Sequence, residues 1–213
     1  MTNDGQKQFY FGLAFPSVRV DANTNDLLQP TAYEAFSCLK ENSETELNRN
    51  ESGEMVYRWT KNASPATPKL EAELIKAGKL KPEDAHFQPR DVETGSVVQI
   101  HSGTVNWNPW RKRWVLLAVQ QFGTSMLGEI WYGEADTPTG PWKKVVKVVT
   151  HDRYSFYNPA HHPFFDQEGG RLIYFEGTYT AEFSGSPSHT PRYDYNQIMY
   201  RLDLSDPRLA AVQ

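Results

Sequence analysis

The segment from His101 to Leu204 contains two successive passes of one pattern, which constrains the fold more than any other feature of the sequence. The first pass is HSGTVNWNPWRKRWVLLAVQ, LGEIWYGEAD and TPTGPWKKVVKVV, and the second is HHPFFDQEGGRLIYFEGTYT and YNQIMYRLDL. Each pass starts with a His-led extended stretch, turns through a basic or glycine-rich segment, and continues into an apolar strand and an alternating strand. A unit of about fifty residues built from successive antiparallel strands is typical of a β-propeller blade.

The whole chain is accordingly predicted to be one all-β domain, a partial propeller-like array of about three antiparallel four-stranded blades. We predict an incomplete blade at 1–63, a helical and loop insertion at 64–95, and blades at 96–150 and 151–213. Residues 9–20 are predicted to form one strand, and Pro68 and Gly78 are predicted to bound a helix in a short helical region near 68–86. Fewer than four blades cannot close around an axis. We therefore expect either that further N-terminal blades are missing or that the chain pairs with another chain.

Composition excludes several classes of partner. The formal net charge of -4 gives no electrostatic reason to expect nucleic acid. Cys38 is the only cysteine, which excludes an intrachain disulfide and a cysteine-rich zinc site. No stretch approaches the length of a membrane span, and the N-terminal MTNDGQKQF lacks an apolar signal core. The expected location is the cytoplasm for the chain as given, or outside it if a targeting segment precedes Met1.

One element of the repeat resembles a known superfamily. The stretch GEIWYGEADTPTGPWKKV combines an alternating strand, a small acidic turn, Gly-Pro-Trp and a second strand. It resembles the five-bladed β-propeller glycoside hydrolases of the arabinanase, xylosidase and fructosidase type, over the C-terminal blades only, from about Ser96 to Leu204. The resemblance implies three carboxylates from different blades, with a Glu as acid. The N-terminal Asp expected of that superfamily has no match in this chain.

Two glutamates are the candidate catalytic residues. Glu176, in YFEGTYT, lies on an apolar strand beside a glycine, and Glu129, in LGEIWYGEAD, has a similar setting. Hydrolysis of a sugar bond uses two carboxyl groups, one donating a proton while the other attacks or activates water. The alternative for both residues is a carboxylate that is hydrogen-bonded to neighbouring blades. Glu134 and Asp136 are predicted to be solvated or turn-capping.

The densest polar and aromatic cluster is HDRYSFYNPAHHPFFD, from His151 to Asp166. We expect it to lead from a loop into an innermost strand, and we predict that Tyr157, Asn158 and His161 bind substrate. His101 occupies the comparable point of the preceding blade and is predicted to share a polar floor with His161. Packing against the next blade is the alternative for the two histidines.

Further predicted binding residues are Trp107, as a flat face for a sugar ring, and Arg192, in TPRYDYN, as a partner for carboxylate or hydroxyl groups. Blade packing and an inter-blade salt bridge are the respective alternatives. No metal or cofactor is predicted. A divalent ion held by Asp152, His161, His162 and Asp166 is the alternative, but adjacent strand residues point to opposite faces, so both histidines cannot line one site.

Two functions remain open at this stage. The first is a carbohydrate-active, glycoside-hydrolase-like propeller that acts on or binds a glycan at the axial end of its blades. The second is a non-catalytic propeller segment that serves as a binding or assembly module and forms a homo-oligomer.

Overall fold

Antiparallel strands dominate the computed structural model, which describes residues 2–3, 6–151, 153–190 and 193–212. The described residues fall into two compact units. Residues 1–12 and Pro16–Ala85 belong to the first unit, and Leu13–Phe15 and His86–Gln213 to the second. The division after Ala85 coincides with neither of the predicted segment boundaries after residues 63 and 95. Membership of a single partial propeller domain stays a prediction.

The first unit contains one five-stranded antiparallel meander. Its strands follow in chain order as β1 (Thr2–Asn3), β2 (Gln6–Phe11), β3 (Val18–Asp21), β4 (Glu34–Ser37) and β5 (Arg58–Lys61). The single strand predicted over residues 9–20 is wrong, because the chain reverses between β2 and β3. Ser17 N donates to Phe11 O at 3.0 Å across this reversal. Gly12 and Pro16 lie in it, and both residue types favour turns over continuous strands.

Two α-helices lie among the described residues of the first unit, α1 (Thr24–Leu27) and α2 (Pro68–Lys76). The helix predicted from Pro68 is confirmed. Thr67 Oγ1 accepts from Leu70 N at 3.1 Å, Pro68 occupies a position that needs no amide donor, and Gly78 takes a left-handed φ of 68° after the last turn. A 3-10 turn at Pro82–Asp84 follows. No helix among the described residues has the length and apolar character needed to cross a lipid bilayer.

The second unit contains a five-stranded sheet in the order β6-β10-β9-β8-β7. These strands are β6 (Arg90–Asp91), β7 (Ile100–Asn108), β8 (Arg113–Gln121), β9 (Leu127–Ala135) and β10 (Lys144–Val149). Strands β7 to β10 form an antiparallel meander, as predicted for residues 96–150, and β6 adds a short parallel pair to β10. All nine residues of β9 are buried, as expected for a central strand covered on both faces.

A three-stranded antiparallel sheet completes the second unit. It consists of β11 (Ser155–His161), β12 (Leu172–Thr180) and β13 (Tyr195–Asp203), with 3-10 turns at Pro163–Phe165, Glu168–Gly170 and Pro207–Val212. The mostly β, antiparallel character predicted from the sequence is therefore confirmed. The residues after β13 form a 3-10 turn rather than a fourth strand.

The main core of the second unit lies where β11 meets β7, β8 and β9. The apolar face of β8 meets the inward side of the three-stranded sheet, whose Phe156 and Phe175 are almost fully buried. Burying a side chain of this size contributes about 1.5–3 kcal/mol. The rest of this core is made of Val115, Leu117, Val119, Leu127, Ile130, Tyr132, Val146, Ile173, Leu204, Leu209 and Val212. The side of the three-stranded sheet that carries Phe156 and Phe175 is therefore buried in the core.

Candidate functional site

A β-bulge in β11 decides which side chains leave the core. Tyr157 lies opposite Thr178 and Ala160 opposite Glu176, so β11 advances three residues while β12 advances two. The extra residue is accommodated by Asn158, whose φ is 54°, and Pro159 follows it. Asn tolerates this left-handed conformation better than most residues. The bulge inverts the alternation of side chains along the rest of the strand.

The side of the three-stranded sheet that faces away from the core is called here the outer face. After the bulge it carries His162, and on β12 it carries Glu176 and Thr178. His162 Nε2 lies 3.1 Å from Glu176 Oε1, and the two side chains are 23% and 32% exposed. The two groups form an ion pair whenever the imidazole is protonated. Their partial exposure allows a ligand to reach both.

Hydrogen-bonding side chains extend the outer face along the strands. Thr178 Oγ1 donates to Gln197 Oε1 at 3.1 Å, and the hydroxyl of Tyr157 donates to that of Tyr195. Partial desolvation and the bond to Tyr195 raise the pKa of Tyr157 to about 12. Met199, opposite Glu176 on β13, is exposed. The outer face therefore alternates polar groups with exposed apolar surface.

Two exposed phenylalanines border the His162–Glu176 pair. The rings of Phe164 and Phe165 lie with centroids 4.4 Å apart, and their centroids are 5.3 Å and 6.1 Å from that of His162. They are 75% and 50% exposed, which is unusual for phenylalanine in a folded chain. An acid, an imidazole and apolar rings are thus gathered at one end of the outer face.

His161, predicted to bind substrate, faces the core side of the sheet instead. Its imidazole Nε2 lies 3.0 Å from Asp166 Oδ1, its Nδ1 lies 3.4 Å from Asn106 Nδ2, and its amide donates to Thr104 Oγ1 at 3.0 Å. The side chain is 1% exposed. Burial lowers the pKa of His161, although the Asp166 carboxylate opposes this shift. These contacts join β11 to β7, which is the packing alternative considered from the sequence.

His101 lies at a second bulge, in β7 between the residues paired as Ile100–Gln120 and Ser102–Val119. Its side chain is exposed. The side chain of His161 makes its contacts with Asn106 and Asp166 rather than with His101. The predicted polar floor of paired histidines therefore does not appear in the contacts of His161.

Glu129 is buried and hydrogen-bonds to the backbone of the loop between β8 and β9. Glu129 is 2% exposed, and its carboxylate accepts a hydrogen bond from Thr124 N at 2.8 Å in the loop between β8 and β9. It lies on the five-stranded sheet, whereas Glu176 lies on the three-stranded sheet. A catalytic role for either glutamate remains a prediction, and only Glu176 reaches the surface beside aromatic rings.

The prediction that Glu134 is solvated is wrong. Its side chain has no exposed surface; Tyr132 donates to Oε1 at 2.6 Å, and Arg111 Nε lies 2.9 Å from the same oxygen. Burial and the Glu134 carboxylate raise the pKa of Tyr132. Arg113 lies 2.7 Å from Asp136, which is 80% exposed as predicted. Because a buried carboxylate needs charged or hydrogen-bonding partners, Glu134 ties the turn between β7 and β8 to β9.

Trp107 is 48% exposed and contacts Trp114 edge to face, with ring centroids 5.7 Å apart. Binding of a sugar ring by Trp107 stays a prediction. Arg192 and Asp152 lie outside the described residues. No group of three or more His, Cys, Asp or Glu side chains is arranged to hold a metal ion in the part of the chain that the structure describes.

The comparisons with known proteins identify no relative. The chain matches no protein-family model, no curated protein and no solved structure. The functional argument therefore depends on the geometry of the chain itself.

Sequence reasoning considered His162 only as a metal ligand and did not include Gln197 or the two phenylalanines in the site. The available signal was the Asn158-Pro159 pair, because Asn before Pro commonly interrupts regular structure. Placing a bulge at Asn158 would have exchanged the faces assigned to His161 and His162.

Proposed function

We propose that this chain is a glycan-binding protein of the propeller glycoside hydrolase type, with its ligand on the outer face around His162 and Glu176. The observation that carries this proposal is the partly exposed His162–Glu176 pair beside the exposed rings of Phe164 and Phe165. The superfamily assignment and the propeller architecture are parts of the same proposal.

Two features of the second unit support a propeller arrangement. Strands β7 to β10 form a four-stranded antiparallel meander, and β11 to β13 form the next meander along the chain. The first strands of the two meanders contact each other through His161, Thr104 and Asn106. Adjacent blades of a propeller bring their first strands together around the central axis in this way.

The chemistry of the outer face suits a sugar. Pyranose and furanose rings present C–H groups that pack on aromatic faces and hydroxyl groups that need hydrogen-bond partners. Glu176 accepts from hydroxyl groups, His162 can donate or accept, and Gln197 offers an amide group. Phe164 and Phe165 supply the apolar surface.

Binding is proposed ahead of hydrolysis because of the positions of the carboxyl groups. Glu176 is accessible and would be the proton donor of a hydrolytic reaction. The second predicted carboxylate, Glu129, is buried in the other sheet and holds Thr124 N. Hydrolysis requires two carboxyl groups on opposite sides of one sugar bond, and the outer face supplies Glu176 alone of the two predicted residues.

The test is calorimetric titration with xylo-, arabino- and fructo-oligosaccharides from monosaccharide to hexasaccharide. Glu176→Gln keeps the shape of the side chain and removes its charge, so affinity should fall about tenfold or more, since hydrogen bonds to charged groups contribute about 1.5–3 kcal/mol. Glu168→Gln, in the turn between β11 and β12, is the matched control. The proposal fails if wild type binds none of these sugars, or if both variants bind as wild type does.

One observation favours an assembly module as the second candidate. Strand β13 is nine residues long and has no strand on its other edge among the described residues, and its Tyr195 and Met199 are exposed. Long open edges of this kind pair readily with another chain. Light scattering after size-exclusion chromatography separates the candidates: a monomer that binds sugar supports the first, whereas a dimer without sugar affinity supports the second.

A further inference from the structure

Strand β13 is a long sheet edge without the features that usually prevent edge pairing. It pairs with β12 through nine successive residue pairs, from Leu172–Asp203 to Thr180–Tyr195, and no bulge interrupts this register. The strand contains neither Pro nor Lys, the residue types that commonly block pairing at an edge. No strand lies on the far edge of β13 in the described part of the chain. This edge therefore offers a regular row of backbone donors and acceptors to a further strand.

The other sheet edges of the described residues are short or interrupted. Strands β1 and β6 have two residues each, and β5 has four. Strands β7 and β11 are longer, but each contains a bulge, and the two strands contact each other. Short edge strands, bulges and covered edges all prevent pairing with another chain. Strand β13 differs from these five edges in having none of the three protections.

The open edge of β13 is also the place where a four-stranded blade would have its fourth strand. The preceding meander has four antiparallel strands, β7 to β10, whereas the meander of β11 to β13 has three. The residues that follow β13 form the 3-10 turn Pro207–Val212 and do not supply the fourth strand. A strand from a second chain would occupy this position if it ran antiparallel to β13.

The side chains of β13 are complementary to those of a second β13 that runs antiparallel to it. A two-fold axis at Met199, the midpoint of the strand, pairs all nine residues and places Gln197 opposite Arg201 of the second copy. The Gln197 amide oxygen can then accept from the Arg201 guanidinium. On the core side of the sheet, Ile198 lies opposite Tyr200 of the second copy, which is an apolar contact. Neither of the two charged residues of the strand lies opposite a like charge, which would be destabilising.

We propose that this protein is a homodimer in which β13 pairs antiparallel with β13 of a second copy, about a two-fold axis at Met199. Nine paired residues supply about nine backbone hydrogen bonds, similar to the roughly ten of an ordinary protein interface. Strand addition of this kind takes its affinity from the backbone and its specificity from the paired side chains. The inference goes beyond the proposed function and does not depend on sugar binding.

Pairing at the edge leaves the outer face of each copy open. Glu176 lies opposite Met199 on β13, and Met199 lies opposite Met199 of the second copy, whose own Glu176 follows on the next strand. The two Glu176 residues are then separated by three strand spacings, which is about 14 Å. Dimerisation therefore places both His162–Glu176 pairs on one face of a continuous six-stranded sheet.

Cysteine cross-linking tests the register of the pairing. Met199→Cys places two thiols opposite each other with their Cα atoms about 4.5–5.5 Å apart, a separation that a disulfide spans. Mild oxidation should convert most of this variant into a covalent dimer on non-reducing electrophoresis. Gln197→Cys is the matched control and should not cross-link, because its copy would lie about 13 Å away along the strand. Wild type is a second control, since its single cysteine, Cys38, is buried.

Light scattering after size-exclusion chromatography, over a dilution series, measures the dimer itself. Wild type should have twice the mass of one chain. Met199→Lys places two ammonium groups opposite each other, so the dissociation constant of the dimer should rise about tenfold or more. Tyr193→Lys is the matched control, because it also replaces an exposed apolar residue by Lys but lies outside β13. Circular dichroism verifies that each variant is folded.

The outcomes separate this inference from the proposed function. A wild type that is monomeric at every concentration refutes the dimer, whether or not it binds sugar. A dimer that Met199→Lys does not weaken, or in which Met199→Cys does not cross-link, refutes pairing through β13 at this register. A dimer that Met199→Lys dissociates and Met199→Cys cross-links supports the inference, even if the sugar titrations show no binding.

Discussion

Gly177 offers the sharpest test of how the outer face is joined to the core. It lies on β12 between Glu176 and Thr178, and its own face points inward. A Cβ at this position would lie 2.6 Å from Phe156 Cζ and 3.0 Å from Phe156 Cδ1, with Cε1 closer still. Phe156 has no exposed surface and belongs to the main core. Gly177→Ala must therefore displace either the ring or the strand that carries the site.

The structure sets the size of the effect. Adding a methyl group to a filled core costs about 1–3 kcal/mol, so Gly177→Ala should lower the free energy of unfolding by that amount. Phe156→Ala removes the ring and leaves a cavity, at a cost of about 3–5 kcal/mol. In the double variant the methyl group occupies part of that cavity. Its cost should therefore fall below the sum of the two single costs by about 1–3 kcal/mol.

Urea unfolding followed by tryptophan fluorescence measures all four proteins of this cycle. An unchanged slope against urea concentration is the control that the same transition is compared. Strict additivity would refute the steric argument, because the cost of Gly177→Ala would then be independent of the Phe156 ring.

Two further predictions concern β11. Asn158→Gly should leave thermal stability nearly unchanged. Asn158→Val should lower the free energy of unfolding by about 1–3 kcal/mol, because a β-branched residue is strained at a φ of 54°. Equal melting temperatures for the two variants would argue against a bulge at this residue. Burial lowers the pKa of His161 below its ordinary 6.5, so between the two values the unfolded chain binds more protons than the folded one. The free energy of unfolding should be undiminished above about pH 6.5 and fall as the pH decreases below it. His161→Asn should weaken the dependence of the free energy of unfolding on pH without abolishing it, because burial also lowers the pKa of His86. If urea unfolding gives the same pH profile for His161→Asn as for wild type, protonation of His161 is not the cause of the loss of stability.

Local patterns predicted the elements whose signals are confined to neighbouring residues. Pro68 and Gly78 marked both ends of α2, because these signals depend on the backbone of those positions alone. The apolar run of β8 and the alternation in β9 likewise predicted paired strands. Residues 9–20 were predicted less well, since a run of apolar residues gives weak information about where Gly12 and Pro16 reverse the chain.

Side-chain direction at the candidate site depended on pairing between strands. Strict alternation from Tyr157 places His161 on the outer face, and a single extra residue at Asn158 places His162 there instead. The role of Glu134 was missed for a related reason. Its partners Arg111 and Tyr132 are supplied by a turn and by its own strand, and only the packed sheet encloses all three.

The sequence by itself determined that this chain forms antiparallel strands in two successive meanders, with one capped helix before them. Those properties follow from side-chain periodicity and from residues that restrict the backbone locally. The tertiary structure alone decided that His162 and Glu176 share an accessible face, that His161 is buried, and that the turns bearing Trp110 and Phe164 lie at one end. The first depends on the bulge and register that pair β11 with β12, and the other two depend on contacts between segments more than fifty residues apart, such as His161 with Thr104 and Asn108 with Gly170, for which local sequence carries no physical signal.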